Sequence, residues 1–152
     1  MKLFITIFAS GLGTGFLRWV PGTWGSLLGI PLAYALNISS KPLALLSLTA
    51  FIFFAIWVSA QAEKVWQEKD SRKIVIDEIC GMSISLLFIP FTLKTVLLAF
   101  LLFRLFDITK LLPPISLLER SLPGGWGIVL DDVMAGVYVW LCLQSLFYMG
   151  WL

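Results

Sequence analysis

The chain has 152 residues, of which 59% are apolar types and 13% are charged, with Lys and Arg outnumbering Asp and Glu by 11 to 9. That charged share is about half of what a soluble domain carries, and a globule this small lacks the volume to hide so many Leu, Ile and Phe side chains, so composition favours a polytopic membrane protein. A net charge of +2 without a basic tract gives no footing for nucleic acid, and the absence of histidine excludes an imidazole base or a histidine nucleophile from this chain.

In chain order, Lys2 precedes an apolar run to about residue 16 that is interrupted by Gly11, Gly13 and Gly15. The run is too short and glycine-rich to span a bilayer, so it is expected to lie interfacially or as a re-entrant segment. It lacks the polar cleavage region of a signal peptide and reads as retained. Five stretches then have helix-like apolar character: about 23 to 38, 43 to 60, 74 to 90, 92 to 107 and 128 to 150. Pro42 and the Pro90-Phe91 junction mark sharp breaks. No linker or repeat divides the chain, so residues 1–152 are expected to form one membrane domain, an all-α polytopic bundle of about five apolar helices.

Threading those five spans through a bilayer sorts the basic residues. Lys2, Arg18, Lys64, Lys69, Arg72, Lys73, Lys110 and Arg120 fall on one side and Lys41 and Lys94 on the other, with Arg104 inside the fourth span. By the positive-inside rule the richer side faces the cytoplasm. The same threading gathers the unusual residues at that side. Pro21, Gly22 and Thr23 open the first span, Asp77 and Glu78 the third and Asp131 and Asp132 the fifth, while Arg104 and Asp107 close the fourth. Trp19, Trp24, Trp66 and Trp126 fall near the same surface, where tryptophan anchors.

Carboxylates are costly in or beside hydrocarbon, so two acidic pairs in otherwise oily helices imply a use. Gly81 stands four residues after Asp77 and Gly136 four after Asp132, each on the same helical face, and small residues there let the two acid-bearing helices approach closely. Several carboxylates at low dielectric stay ionised only with a compensating cation, and oxygen-only ligation favours Mg²⁺. Asp77, Glu78, Asp131 and Asp132 are the expected metal site, with Asp132 and Asp77 as ligands and Asp131 or Glu78 contacting metal or water, the assignment within each pair staying open. Arg104, Asp107 and Lys110 alternate in charge at three-residue spacing on one stripe, where a guanidinium and an ammonium suit a phosphate. An ordinary intrahelical ion pair is the competing reading of Arg104 and Asp107. Thr23 and Ser26, in PGTWGS at 21–26, read either as helix caps or as donors to an anion. The interleaved charges of Lys64 to Lys73 most simply make a solvated loop.

Cys80 and Cys142 lie in apolar context without CxxC spacing, and neither is followed six residues later by the Arg of a cysteine phosphatase. Histidine-based lipid phosphatases are excluded, Asp107 lacks the DxDxT pattern, and GLGTG at 11–15 does not complete GxGxxG. What remains is carboxylate-held metal acting on a phosphate. The rival is a small ion-coupled transporter or channel subunit, which would need polarity through the midplane rather than at one end.

Four blocks, GLGTGFLRWVPGTWGS at 11–26, VIDEICGM at 75–82, FRLFDITK at 103–110 and GGWGIVLDDVMAGV at 124–137, together resemble the phosphatidylglycerophosphatase A family. The resemblance implies Mg²⁺-dependent hydrolysis of the terminal phosphomonoester of phosphatidylglycerophosphate, giving phosphatidylglycerol and phosphate at a cytoplasm-facing site. It further implies Asp77, Glu78, Asp107, Asp131 and Asp132 as acidic site residues, Arg104 and Lys110 as phosphate-facing cations, and Gly22 and Thr23 as part of the surrounding loop. Two departures stand out: Arg18 takes a position where relatives often carry a small residue or proline, and the segment from Lys110 to Pro113-Pro114 is one residue longer than the familiar lysine-proline.

Overall fold

A computed structural model describes residues 1–109 and 122–152. Among these residues the chain forms six α-helices and no strand: α1 (Lys2–Ala9), α2 (Pro21–Ile38), α3 (Lys41–Trp66), α4 (Ile76–Ser85), α5 (Leu93–Thr109) and α6 (Gly125–Tyr148). A 3-10 turn at Thr14–Phe16 joins α1 to α2. The all-α class agrees with the sequence expectation.

The expectation of about five apolar membrane helices does not hold. Among the described residues only α3, with 26 residues, and α6, with 24, are long and apolar enough to cross a membrane. The stretch at 74–90 contracts to the ten residues of α4, about 15 Å of helix against a hydrocarbon core of about 30 Å. In α2, Gly22, Gly25, Gly29, Pro31 and Asn37 dilute the apolar run, and the 17 residues of α5 carry Lys94, Arg104 and Asp107. An apolar run records that a helix is shielded from water without recording whether lipid or protein shields it.

For α4 the shield is protein. Every residue of α4 except Glu78 is buried, and its side chains enter all three apolar clusters: Ile76 and Cys80 beside α1, α3 and α6, Met82 beside α2, α5 and α6, and Ile84 beside α2 and α3. Such enclosure requires small residues at the crossings. A methyl added at Gly136 of α6 would strike the Gly81 carbonyl, and one at Gly81 would strike the Phe103 ring and the Asp132 carbonyl. The Gly81 and Gly136 spacing read from the sequence is thus the α4–α6 crossing itself.

Hydrogen bonds secure both ends of α4. Ser83 Oγ donates to Ile79 O (2.7 Å) and Ser85 Oγ to Gly81 O (2.9 Å), so neither buried hydroxyl is orphaned. Beyond its C-terminus, Asn37 Nδ2 donates to Leu86 O (2.9 Å) while Asn37 Oδ1 accepts from Phe88 N–H (2.7 Å), tying the following turn to α2. At the other end, Val75 N–H donates to Ala9 O (2.9 Å), which sets the first turn of α4 against the end of α1.

Candidate active site

The first turn of α4 carries Asp77 and Glu78, where helix N–H groups favour negative charge. The second acidic pair, Asp131 and Asp132, lies in the α6 segment that crosses α4. In each pair the first acid accepts from the backbone N–H of the second, Glu78 N to Asp77 Oδ1 at 3.1 Å and Asp132 N to Asp131 Oδ1 at 2.9 Å. One carboxylate oxygen from each of Asp77, Glu78 and Asp132 lies within 4.8 Å of the others. Asp131 lines the same cavity but is not a member of that trio.

Asp77, Glu78, Asp107, Asp131, Asp132 and Arg104 all open onto one cavity of about 920 Å³. Arg104 comes from the last turns of α5 and bonds Asp107 Oδ2 through Nη1 at 2.6 Å, so the intrahelical pair exists and stands inside the cavity. Nη1 also reaches Ser26 Oγ at 3.5 Å, and Ser26 Oγ donates to Gly22 O at 2.8 Å. Gly22 is where α2 approaches the acids: a methyl there would collide with Glu78 Oε1 and press on the Arg104 guanidinium. Two buried polar atoms, Arg104 Nε and Glu78 Oε2, have no hydrogen-bond partner among the described residues.

Burial pushes the Asp77 carboxyl well above its ordinary range, and the neighbouring charges of Glu78 and Asp131 push it further. Glu78 is raised to about 8, first by burial and then by the charges of Asp132 and Asp107, against a lowering hydrogen bond from Asp77 and the lowering charge of Arg104. With its carboxyl at about 8, Glu78 holds a proton at neutral pH unless a cation replaces it. Orphaned Glu78 Oε2, three convergent carboxylates and an all-oxygen donor set fit a hard divalent cation. The trio is therefore suited to hold a metal ion.

Not every expected residue joins the cavity. Thr23 sits half-buried in the first turn of α2, its N–H bonded to Val20 O at 3.0 Å, and lies outside the lining. Lys110, and the longer segment that follows it, lie outside the described residues. Conversely, Arg18, Arg72 and Lys73 do line the cavity. The loop read as merely solvated is folded over the site. Gly15 packs directly on the Lys73 carbonyl, Ser71 Oγ and Lys73 Nζ both bond Glu68 Oε2 at 2.8 Å, and Asp70 N–H bonds Glu63 Oε1 at 2.9 Å. The available signal was proximity in sequence, since Arg72 and Lys73 stand a few residues before Asp77 and Arg18 a few before Gly22.

Residues 7–147 match the family described as Phosphatidylglycerophosphatase A. The chain is 38% identical over 146 residues to the Bacteroides thetaiotaomicron protein named "Putative phosphatidylinositol-3-phosphatase", covering 90% of this chain and 89% of that one. It is 34% identical over 152 residues to the Phosphatidylglycerophosphatase A of Haemophilus influenzae (95% and 89% covered) and 36% identical over 133 residues to that of Escherichia coli (86% and 76% covered). No solved structure matches the chain significantly. Two membrane-length helices and a buried acidic cavity thus occur in a chain alike to bacterial lipid phosphatases along nearly its whole length, and the chain belongs to the phosphatidylglycerophosphatase A family.

Proposed function

We propose that the chain removes the terminal phosphate of phosphatidylglycerophosphate in the cavity between α2, α4, α5 and α6, with Mg²⁺ held by Asp77, Glu78 and Asp132. The phosphatase activity and the phospholipid substrate are those of the family. The observation that carries the residue assignment is the meeting, in one cavity, of three carboxylates within 4.8 Å and a half-buried arginine whose buried Nε lacks an acceptor among the described residues.

When bound, the ion supplies Lewis-acid stabilisation of the phosphate oxygens. The protein supplies the rest. Arg104 is held toward the cavity by Asp107, and its unpartnered Nε–H donates to a terminal phosphate oxygen, offsetting charge that grows as the phosphorus–oxygen bond to glycerol breaks. Asp131, on the same lining, orients the incoming water and takes its proton, and the released glycerol oxygen is reprotonated from solvent. The glycine at 22 keeps α2 from filling the space that the phosphate occupies.

We assign the site end to the cytoplasm. The membrane-length helices α3 and α6 run in opposite directions along the bundle. The C-terminal end of α3 is followed by Lys69, Arg72 and Lys73, and the start of α6 is preceded by Lys110 and Arg120, whereas Lys41 opens α3 at the far end.

The test is phosphate release by purified protein from phosphatidylglycerophosphate, phosphatidate and phosphatidylinositol 3-phosphate, with and without Mg²⁺. Wild type is expected to act on phosphatidylglycerophosphate only with the ion present, and Asp132→Asn to insert into membranes normally while losing activity. Normal phosphate release by Asp132→Asn, or undiminished release in chelator, would sink the assignment.

A further inference from the structure

We infer that Arg18 and Arg72 bind the phosphodiester of the lipid, so that the cavity reads both phosphates of its substrate. This rests on the phosphatase reading above and adds a second anion subsite to it.

Phosphatidylglycerophosphate carries a diester and a terminal monoester at either end of a glycerol. Drawing that headgroup out of water leaves two anions to be compensated, and the acidic trio with its metal and Arg104 serves only one of them. Among the described residues, four cations line the cavity: Arg18, Arg72, Lys73 and Arg104. Arg104 is bound to Asp107, and Lys73 is committed to Glu68 at 2.8 Å with its ammonium 5.8 Å from the centre of the Trp66 ring. Arg18 and Arg72 have no hydrogen-bond or ion-pair partner among the described residues.

The fold brings these two arginines to one rim. Gly15 packs against the Lys73 carbonyl, so the segment bearing Arg18 and the loop bearing Arg72 are in contact although they are far apart in sequence. Arg18 also stands in an exposed apolar stretch. Its neighbours Leu17 and Trp19 are 45% and 77% exposed, in a protein with membrane-length helices. An exposed tryptophan beside an arginine is the pattern of a segment lying at headgroup depth, which is the depth of lipid phosphodiesters. Two guanidinium forks at that rim match a diester by geometry as well as charge.

Phosphatidate separates the two subsites, because its only phosphate is the monoester. The experiment measures kcat and KM, or Ki where a lipid is not turned over, for phosphatidylglycerophosphate and phosphatidate of matched acyl chains in mixed micelles. The full-length wild type is compared with Arg18→Ala, Arg72→Ala and Arg18→Lys. Each alanine variant is expected to lower the preference for phosphatidylglycerophosphate over phosphatidate by about tenfold through KM, with partial recovery in the lysine variant. Equal losses on both lipids, or no loss on either, would overturn the inference while leaving the phosphatase reading intact. A wild type that releases phosphate from no lipid would instead remove the reading on which it stands.

Discussion

The helices α3 and α4 both carry apolar residues with interspersed serine, yet they meet different surroundings. α3 keeps Leu43, Leu45, Leu46, Phe53 and Trp57 exposed along 26 residues, whereas α4 buries nine of its ten residues inside the protein and leaves only Glu78 half-exposed. The difference separates two reasons for being apolar. α3 is apolar on an outer face that the protein leaves open, along a helix long enough to cross a membrane, and α4 is apolar because neighbouring helices enclose it. Enclosure also makes α4 the place where carboxylates acquire altered chemistry, since the same burial that excludes water raises Asp77 and Glu78.

The sharpest way to break this contrast is Asp77→Asn. It is expected to cost about 10³-fold in kcat, roughly 4 kcal/mol, while thermal stability in chelator holds or rises, because one buried carboxylate is relieved of its like-charged neighbours. A variant that loses activity and stability together would place Asp77 in the scaffold instead. Next in size, Gly81→Val is expected to destabilise the detergent-solubilised protein by about 3 kcal/mol, since the branched side chain meets Phe103 and the Asp132 carbonyl at the α4–α6 crossing. Unchanged thermal unfolding would mean that the crossing is looser than described.

A smaller effect follows from the proton on Glu78. With its carboxyl raised to about 8, metal must displace a proton below that pH. Mg²⁺ affinity, followed by titration calorimetry, is therefore expected to rise at least tenfold per unit from about pH 6 to 8, and less steeply once Glu78 has ionised. A flat profile would mean that Glu78 is ionised without metal. Smallest of all, Leu46→Ala on the outward face of α3 is expected to stay within about 0.5 kcal/mol of wild type. A core-sized loss there would erase the contrast with α4.

Much of the site geometry was legible before folding. Asp77 and Gly81, and Asp132 and Gly136, share a four-residue spacing that fixes them to common helical faces, and the contact between the two glycines follows from it. Arg104 and Asp107 were readable for the same reason. Thr23 was not, because a residue in the first turn of α2 points into or away from the cavity according to how α2 is rotated on α4. The loop at 70–74 was not legible either: its charges look solvated until Val75 binds the end of α1 and Gly15 covers Lys73.

The chain alone therefore determined that the fold is helical, which faces carry acid and glycine, and that no histidine can serve the site. These depend on local periodicity and side-chain type, which short-range geometry transmits. Tertiary structure decided which helices are long and apolar enough to cross a membrane, that α4 is a buried hub, and that Arg18 and Arg72 share the lining of the acidic cavity. Those outcomes depend on which surfaces cover one another, and an apolar residue carries the same signature whether its neighbour is a phenylalanine from α5 or an acyl chain.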